Sequence, residues 1–305
     1  MDEIQKTLLA EVADLHGVPA GAYNIRSNGE SIDRKSTEHI EIVGKTDKSG
    51  IDIYIKPGTK NESVHIPVIL SQTGLKELVY NDFHIGEDCD VTIIAGCGIH
   101  NSGDAASEHD GIHTFYVGKN AKLRYVEKHY GSGDGKGERI LNPQTIVHMD
   151  EGSYMEMEAV QIKGVDSTVR ETRADLAAGA TLVVKEKIMT HGVQHAETKF
   201  YVDLNGEDSS TNVVSRSVAK EDSTQVFYSQ INGNNKSAGH TVWDAIIMDR
   251  ATVKAIPALE ANNLEASLIH EAAIGKIAGD QLIKLMTLGL TEAEAEEQIV
   301  NGFLK

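Results

Sequence analysis

The sequence predicts an all-β core with α-helices at both ends, and three observations carry that prediction. From about Thr37 to Ile256 apolar and polar residues alternate, as in Glu38-His39-Ile40-Glu41-Ile42-Val43 and Ile51-Asp52-Ile53-Tyr54-Ile55. A period of two marks strands buried on one face. A looser repeat runs through the same stretch: a glycine, then inward apolar residues three, five and seven positions later. Gly86 precedes Cys89, Val91 and Ile93; Gly118 precedes Ala121, Leu123 and Tyr125; Gly152 precedes Met155, Met157 and Ala159. Gly179 fits less well, because Glu186 follows Leu182 and Val184, and Asp249 replaces the glycine before Ala251, Val253 and Ala255. Third, helical spacing of apolar residues occurs near the two termini. A turn-plus-strand unit that cannot bury its apolar face alone is the logic of a β-solenoid. A β-sandwich gives the same alternation, and periodicity alone leaves the two open.

The elements follow in order. Residues 2–16 read as a helix, with Ile4, Leu8, Leu9, Val12 and Leu15 at helical spacing and Gly17-Val18-Pro19 as the stop. Residues 20–36 are polar and read as irregular, so 1–36 forms an N-terminal helical segment. The β core spans 37–260. Residues 261–305 form a C-terminal helical segment. There Ile274, Ile277, Leu282, Leu285 and Met286 mark one face and Gly289 closes the helix. Thr291 and Glu294 make a capping box for a second helix, whose apolar side is Ile299, Phe303 and Leu304.

Composition narrows the function classes. The net charge is -17, so the surface repels a phosphate backbone and nucleic acid is not an expected partner. The two cysteines, Cys89 and Cys97, are too few for a disulfide framework or a four-thiolate site, and a reducing cytoplasm is the expected compartment. No run of about 18 apolar residues suggests a membrane span, and Met1-Asp2-Glu3-Ile4 opens without a leader pattern.

Few motifs point to chemistry. Tyr130-Gly131-Ser132-Gly133-Asp134-Gly135-Lys136-Gly137-Glu138 fails the Walker spacing, and Gly137 stands where a magnesium-binding hydroxyl belongs; it reads as a solenoid loop. His109 and His113, like His191 and His195, have metal-like spacing but contain glycine between them, so they read as loop and solenoid-surface histidines. Cys97, in Ala95-Gly96-Cys97-Gly98-Ile99-His100, reads as a packing residue or as a soft metal ligand. No Gly-x-Ser-x-Gly elbow appears.

Longer stretches carry more. Gly152-Ser153-Tyr154-Met155-Glu156-Met157-Glu158, Val242-Trp243-Asp244-Ala245-Ile246-Ile247-Met248-Asp249-Arg250-Ala251 and Leu268-Ile269-His270-Glu271-Ala272-Ala273-Ile274-Gly275 resemble the SufB/SufD family of iron–sulfur cluster assembly scaffolds, in its short archaeal-type form. The resemblance implies a right-handed parallel β-helix with helical ends and a homodimer or heterodimer formed through the cores. It also implies C-terminal helices that dock an ABC-type ATPase, SufC, through the face marked by Ile274, Ile277, Leu282, Leu285 and Met286. The ATPase would carry the nucleotide chemistry, and this chain would not itself be an enzyme or require a cofactor.

In active members the resemblance further implies a cysteine within a Gly-His-x-x-Cys-Asp segment and a glutamate within a His-Glu-Ala segment at a nascent cluster. Here Gly239-His240-Thr241-Val242-Trp243-Asp244 has Trp243 at the cysteine position, and Ser237 and Ser102 stand where related chains often have further cysteines. Trp is a donor only and cannot replace a thiolate. The expectation is therefore a SufD-like subunit. One alternative is direct iron–sulfur or metal binding through Cys97, His240, His270 and Glu271. Another is a carbohydrate-active β-helix enzyme, against which 5% aromatic content argues.

Overall fold

A computed structural model describes residues 3–13, 15, 17 and 19–305. Helix α1 (Glu3–Ala13) leads into β1 (Ala22–Ser27), β2 (Glu30–Lys35), β3 (Ile40–Gly44), β4 (Gly50–Ile55), β5 (Lys60–Leu70) and β6 (Lys76–Ile85). Next come β7 (Asp90–His100), β8 (Ser107–Val117), β9 (Lys122–Ser132), β10 (Arg139–Leu141), β11 (Gln144–Met149), β12 (Tyr154–Lys163) and β13 (Ser167–Leu176). They are followed by β14 (Thr181–Thr190), β15 (His195–Leu204), β16 (Ser209–Ala219), β17 (Thr224–Gly233), β18 (Ser237–Ile247), β19 (Thr252–Ala261) and β20 (Ala266–Gly275). Helices α2 (Gly279–Met286) and α3 (Glu292–Phe303) end the chain.

Strands from β4 onward alternate between two facing sheets, with β10 and β11 together taking one place between β8 and β13, and each coil pairs in parallel with its neighbours. This is a parallel β-solenoid of about 8 turns, and the sandwich reading falls away. The pairs Ser167–His195, His195–Thr224 and Thr224–Thr252 set one coil at 28 or 29 residues. The inward row is Ile, Val, Leu, Met and Phe, and like residues stack between coils. Phe83 lies flat on Phe115 with centroids 4.4 Å apart, close to the strand spacing of about 4.8 Å that parallel pairing imposes.

The glycine repeat is real, but its punctuation is a left-handed corner residue. Gly152 and Gly179 fill that corner themselves, while Asp88, Asn120 and Asp249 fill it elsewhere with φ of 55°, 55° and 56°. Asp and Asn tolerate this conformation better than other side chains. Gly118 serves a different need: a Cβ there would lie 2.7 Å from the carbonyl oxygen of Ile85 in the coil below.

Three expectations need correction. Residues 20–36 are not irregular: β1 and β2 form an antiparallel hairpin closed by Asn28 and Gly29, both at positive φ, and Asn-Gly is the strongest short hairpin signal. The solenoid does not end at 260, because β20 pairs with β18 in continuous register from Ser237–Ala266 to Ile246–Gly275. Ile274 is therefore a strand residue, and helix begins only at Gly279. Inter-coil hydrogen bonding outweighs the helical periodicity there. The first helix runs Glu3–Ala13; Asp2, Asp14, His16 and Val18 lie outside the described residues. No helix among the described residues is long and apolar enough to cross a membrane.

The helical ends are held differently. Leu8, Leu9, Val12 and Ala13 bury one face of α1 on the outside of β5, β7 and β9. The capping box forms: Thr291 Oγ1 accepts from the Glu294 amide at 3.3 Å, and Glu294 Oε2 accepts from the Thr291 amide at 2.8 Å. Helix α3 then lays Val300 and Leu304 on Val218, whereas α2 buries no residue.

Candidate functional site

The pleat of β18 and β20 splits the residues expected to act together. Trp243 pairs with Ala272 and Thr241 with His270, and these point inward; His240 and Glu271 point outward. Trp243 is 2% exposed and packs on Phe227 with centroids 4.9 Å apart. His270 Nδ1 meets Thr241 Oγ1 at 2.7 Å, and burial followed by the His240 charge lowers the His270 pKa. On the outer face His240 Nε2 stands 3.6 Å from Glu271 Oε2, with the carboxylate largely in solvent. Ser237 is buried at the start of β18.

Cys97 is remote from all four. It lies on β7, five strand spacings from β18 in the same sheet, or roughly 24 Å at about 4.8 Å each. Its side chain points into the solenoid among Val68, Leu70, Ile99 and Leu141. Burial, then the charges of Glu77 and Glu127, pushes the thiol well above its ordinary range. The flanking glycines have a mechanical purpose: a Cβ on Gly98 would meet the Leu8 side chain at 3.1 Å, so they form the floor on which α1 lies. The proposed ligand set is thus not assembled within one chain. Among the described residues no group of three or more His, Cys, Asp or Glu side chains is placed to hold a metal ion.

The largest departure from expectation is inside the coil. His109 and His113 are not surface histidines; they face inward from β8 and are 6% and 8% exposed. They join a buried polar strip with Glu77, Tyr125, Glu127, His129, Arg170 and Glu186. Asn81 Nδ2 contacts His113 Nε2 at 3.2 Å, His113 Nδ1 meets the Tyr125 hydroxyl at 2.8 Å, and that hydroxyl donates to Glu127 Oε1 at 3.0 Å. Arg170 pairs with Glu127 and also donates to His129 Nδ1 at 3.1 Å. Toward the capped end, Arg26 Nε donates to Glu77 Oε1 at 2.9 Å, while His109 Nδ1 faces Glu77 Oε2 at 3.4 Å outside hydrogen-bond geometry.

These groups set one another's charge. Burial opposes ionisation of Glu127, but Arg170 and the neighbouring histidines outweigh it and hold the carboxyl well below its usual range. Glu186 shifts the other way, because burial there outweighs Arg170 and the hydroxyls of Ser215 and Thr198. Burial lowers His113 to about 4, so it is neutral at pH 7. Arg26 pairs with Glu77, and Arg170 pairs with Glu127 and faces Glu186 Oε1 at 3.6 Å, so the strip can be buried because its charges meet partners. Sequence reasoning missed it, although Glu186 at an inward position of the repeat was its visible trace.

A second surface is a groove of about 780 Å³ along one corner of the solenoid. Tyr54, His84, Tyr116 and His148 stack along it at centroid distances of 4.7, 5.0 and 5.2 Å. Their faces are spent on one another, so the groove offers a sugar ring edges rather than platforms. At the end of the molecule, Ile277 packs into the α3 cluster, Leu282 and Leu285 are half-buried, and Met286 is exposed. Ile283 and Leu288, at 63% and 77% exposure, carry more of the free apolar surface than the predicted face does.

The chain is similar to known proteins over most of its length. Residues 78–303 match the family described as SUF system FeS cluster assembly, SufBD core domain. An iron–sulfur cluster assembly SufBD family protein of Methanocaldococcus jannaschii is 28% identical over 279 residues, covering 90% of this chain and 87% of the relative. One from Archaeoglobus fulgidus is 29% identical over 283 residues, covering 88% and 71%. The iron–sulfur cluster assembly protein SufB of Bacillus subtilis is 34% identical over a shorter stretch of 102 residues, 32% of this chain and 22% of the relative.

Proposed function

Because the chain belongs to the SufBD family of iron–sulfur cluster assembly proteins, we propose that it is a non-enzymatic scaffold subunit of a Suf-type assembly complex. It pairs through its last coil with a second SufBD-type chain and presents its C-terminal helices to an ABC-type ATPase in the cytoplasm. The observation that carries this reading is the unfinished end of the solenoid. β19 and β20 each have a neighbour on one side only, and Ile269, on β20, is 52% exposed. An unpaired, apolar edge is a template for a partner strand. Helix α2 and the turn after it support the second contact, since α2 lies beside α3 yet Ile283, Met286 and Leu288 stand in solvent.

The SufD-like assignment rests on Trp243. An indole packed into the lumen offers no ligand to iron or sulfide, which favour thiolate supported by imidazole or carboxylate. A second reading keeps the cluster as cargo at the subunit boundary: His240 and Glu271 share the outer face of the terminal coil, where a partner's donors would complete a site that one chain lacks.

The test is co-purification with a SufC-type ATPase and stimulation of its ATP hydrolysis. Deletion of residues 276–305, which leaves β20 whole, is expected to abolish both while the dimer persists in light scattering; ATPase binding by the shortened chain would refute the docking role. Ile269→Lys is expected to convert the dimer to monomer, and an unchanged mass would refute pairing through β20.

A further inference from the structure

We propose that the lumen beside Trp243 is a binding site for one buried water molecule, which ties the indole to Ser217 and Gln225. This inference does not depend on the assembly function. A small cavity of about 10 Å³ lies between β14, β15, β16, β17 and β18, with all three side chains in its wall. Trp243 Nε1, Ser217 Oγ and Gln225 Oε1 are each buried and without a protein partner. Their residues are 2%, 1% and 3% exposed. Buried polar atoms are almost always hydrogen-bonded, to protein or to ordered water.

The neighbours do not offer an alternative. Ser215 Oγ and Thr198 Oγ1 already donate to the two oxygens of Glu186, at 2.7 and 3.0 Å. The Gln225 amide is oriented by its other end, where Nε2 donates to Thr190 Oγ1 at 2.9 Å and to the Val218 carbonyl at 3.0 Å. Oε1 is therefore left as a pure acceptor.

The chemistry of the three atoms selects the ligand. The indole only donates, the amide oxygen only accepts, and the hydroxyl does either. A cation is repelled by the indole N–H and an anion by the amide oxygen. A neutral molecule that both donates and accepts satisfies all three, with the roughly three hydrogen bonds typical of internal water. The volume sits at the lower limit of roughly 10–15 Å³ that a single water needs, so nothing larger enters. Trp243 thus fills the lumen between the ionic strip, which ends at Glu186, and the open terminal coil. Its ring is fixed by Phe227 on one side and by a water bridge at its nitrogen.

Trp243 is the sole tryptophan of the 305 residues, so this chain has a single indole N–H resonance. Paired NOESY and ROESY spectra of the ¹⁵N-labelled protein are expected to show a cross-peak from that proton to water with the sign of a long-lived bound molecule. A folded spectrum with no such cross-peak overturns the proposal. Ser217→Val, which fills the cavity and removes one partner, is expected to abolish the cross-peak while the remaining resonances stay dispersed; a cross-peak that survives in folded S217V also overturns it. If that variant does not fold, the wild-type spectra decide the matter alone.

Discussion

The two ends of the solenoid are made from the same coil and finished in opposite ways. At the N-terminal end the parallel ladder is closed by antiparallel strands, β2 beside β1 and β3 beside β4, and α1 is clamped over the adjacent coils. Its outermost strands are short: β2 has six residues, charged through Glu30, Asp33, Arg34 and Lys35, and β3 has five. Short charged edges resist pairing with other chains. The C-terminal end has ten-residue strands at both sheet edges, and β20 reads Ala-Ser-Leu-Ile-His-Glu-Ala-Ala-Ile-Gly. Pro257 blunts β19, as edge prolines do, but nothing comparable protects β20. Stacked repeats need caps to stay soluble. One end here carries its own cap, and the other ends in two unpaired strand edges, the feature on which the proposed pairing with a second chain rests.

Perturbing the chain between and at these ends would break or sharpen that contrast. The largest loss is expected from neither end but from the strip between them. Arg170→Met leaves Glu127 ionised and unpaired in the lumen, and breaking a buried pair from one side costs about 3–5 kcal/mol. Urea denaturation followed by circular dichroism measures it; a cost under about 1 kcal/mol would mean the strip is hydrated rather than sealed by the two ends.

Acid should weaken the capped half next. His113 titrates at 6.5 when unfolded and at about 4 when folded. As pH falls below 6.5 the unfolded chain takes up a proton that the folded chain refuses, so stability drops toward pH 4 by about 3 kcal/mol. Glu127 acts in the same direction at still lower pH, since its depressed pKa contributes stability that is lost as the carboxylate protonates. Denaturation midpoints across this range should show the slope, and His113→Asn should flatten it between pH 6.5 and 4.

A smaller effect separates the cap from the partner face. Leu8→Ala removes a side chain, 1% exposed, from the buried face of α1 and should cost about 2 kcal/mol without changing the oligomeric mass. A change in mass would place a partner contact at the capped end. The smallest is Thr291→Ala, which deletes the capping box of α3 for about 1 kcal/mol. Amide exchange should quicken in α3 alone; faster exchange in β20 as well would show that the helices and the edge strand open together.

Much of this design is legible in the chain, and the illegible parts share a cause. Val91, Ile93, Leu123 and Met155 declare their inward direction through a period of two, which any half-buried strand must obey. Gly118 marks a corner because no side chain fits against the coil below. Glu186 obeys the same period yet reads as an exception, and Glu127 does not stand out at all, since the arginine that meets both carboxylates arrives from the facing sheet at Arg170. His109 and His113 read as surface residues for the same reason. Ile274 and Ile277 follow helical spacing, but the ladder offered by β18 claims the first of them for a strand.

The sequence by itself determined the alternation, the corners, the capped second helix at the C-terminus and the family likeness, because each rests on neighbours within one coil or on residue identity. Only the tertiary structure decided which charges meet in the lumen, that Trp243 faces inward while Glu271 faces out, and that the outer edge of β20 is left unpaired. Those outcomes depend on how coils some 28 residues apart fall into register. Local pattern does not encode that register; packing between the coils selects it.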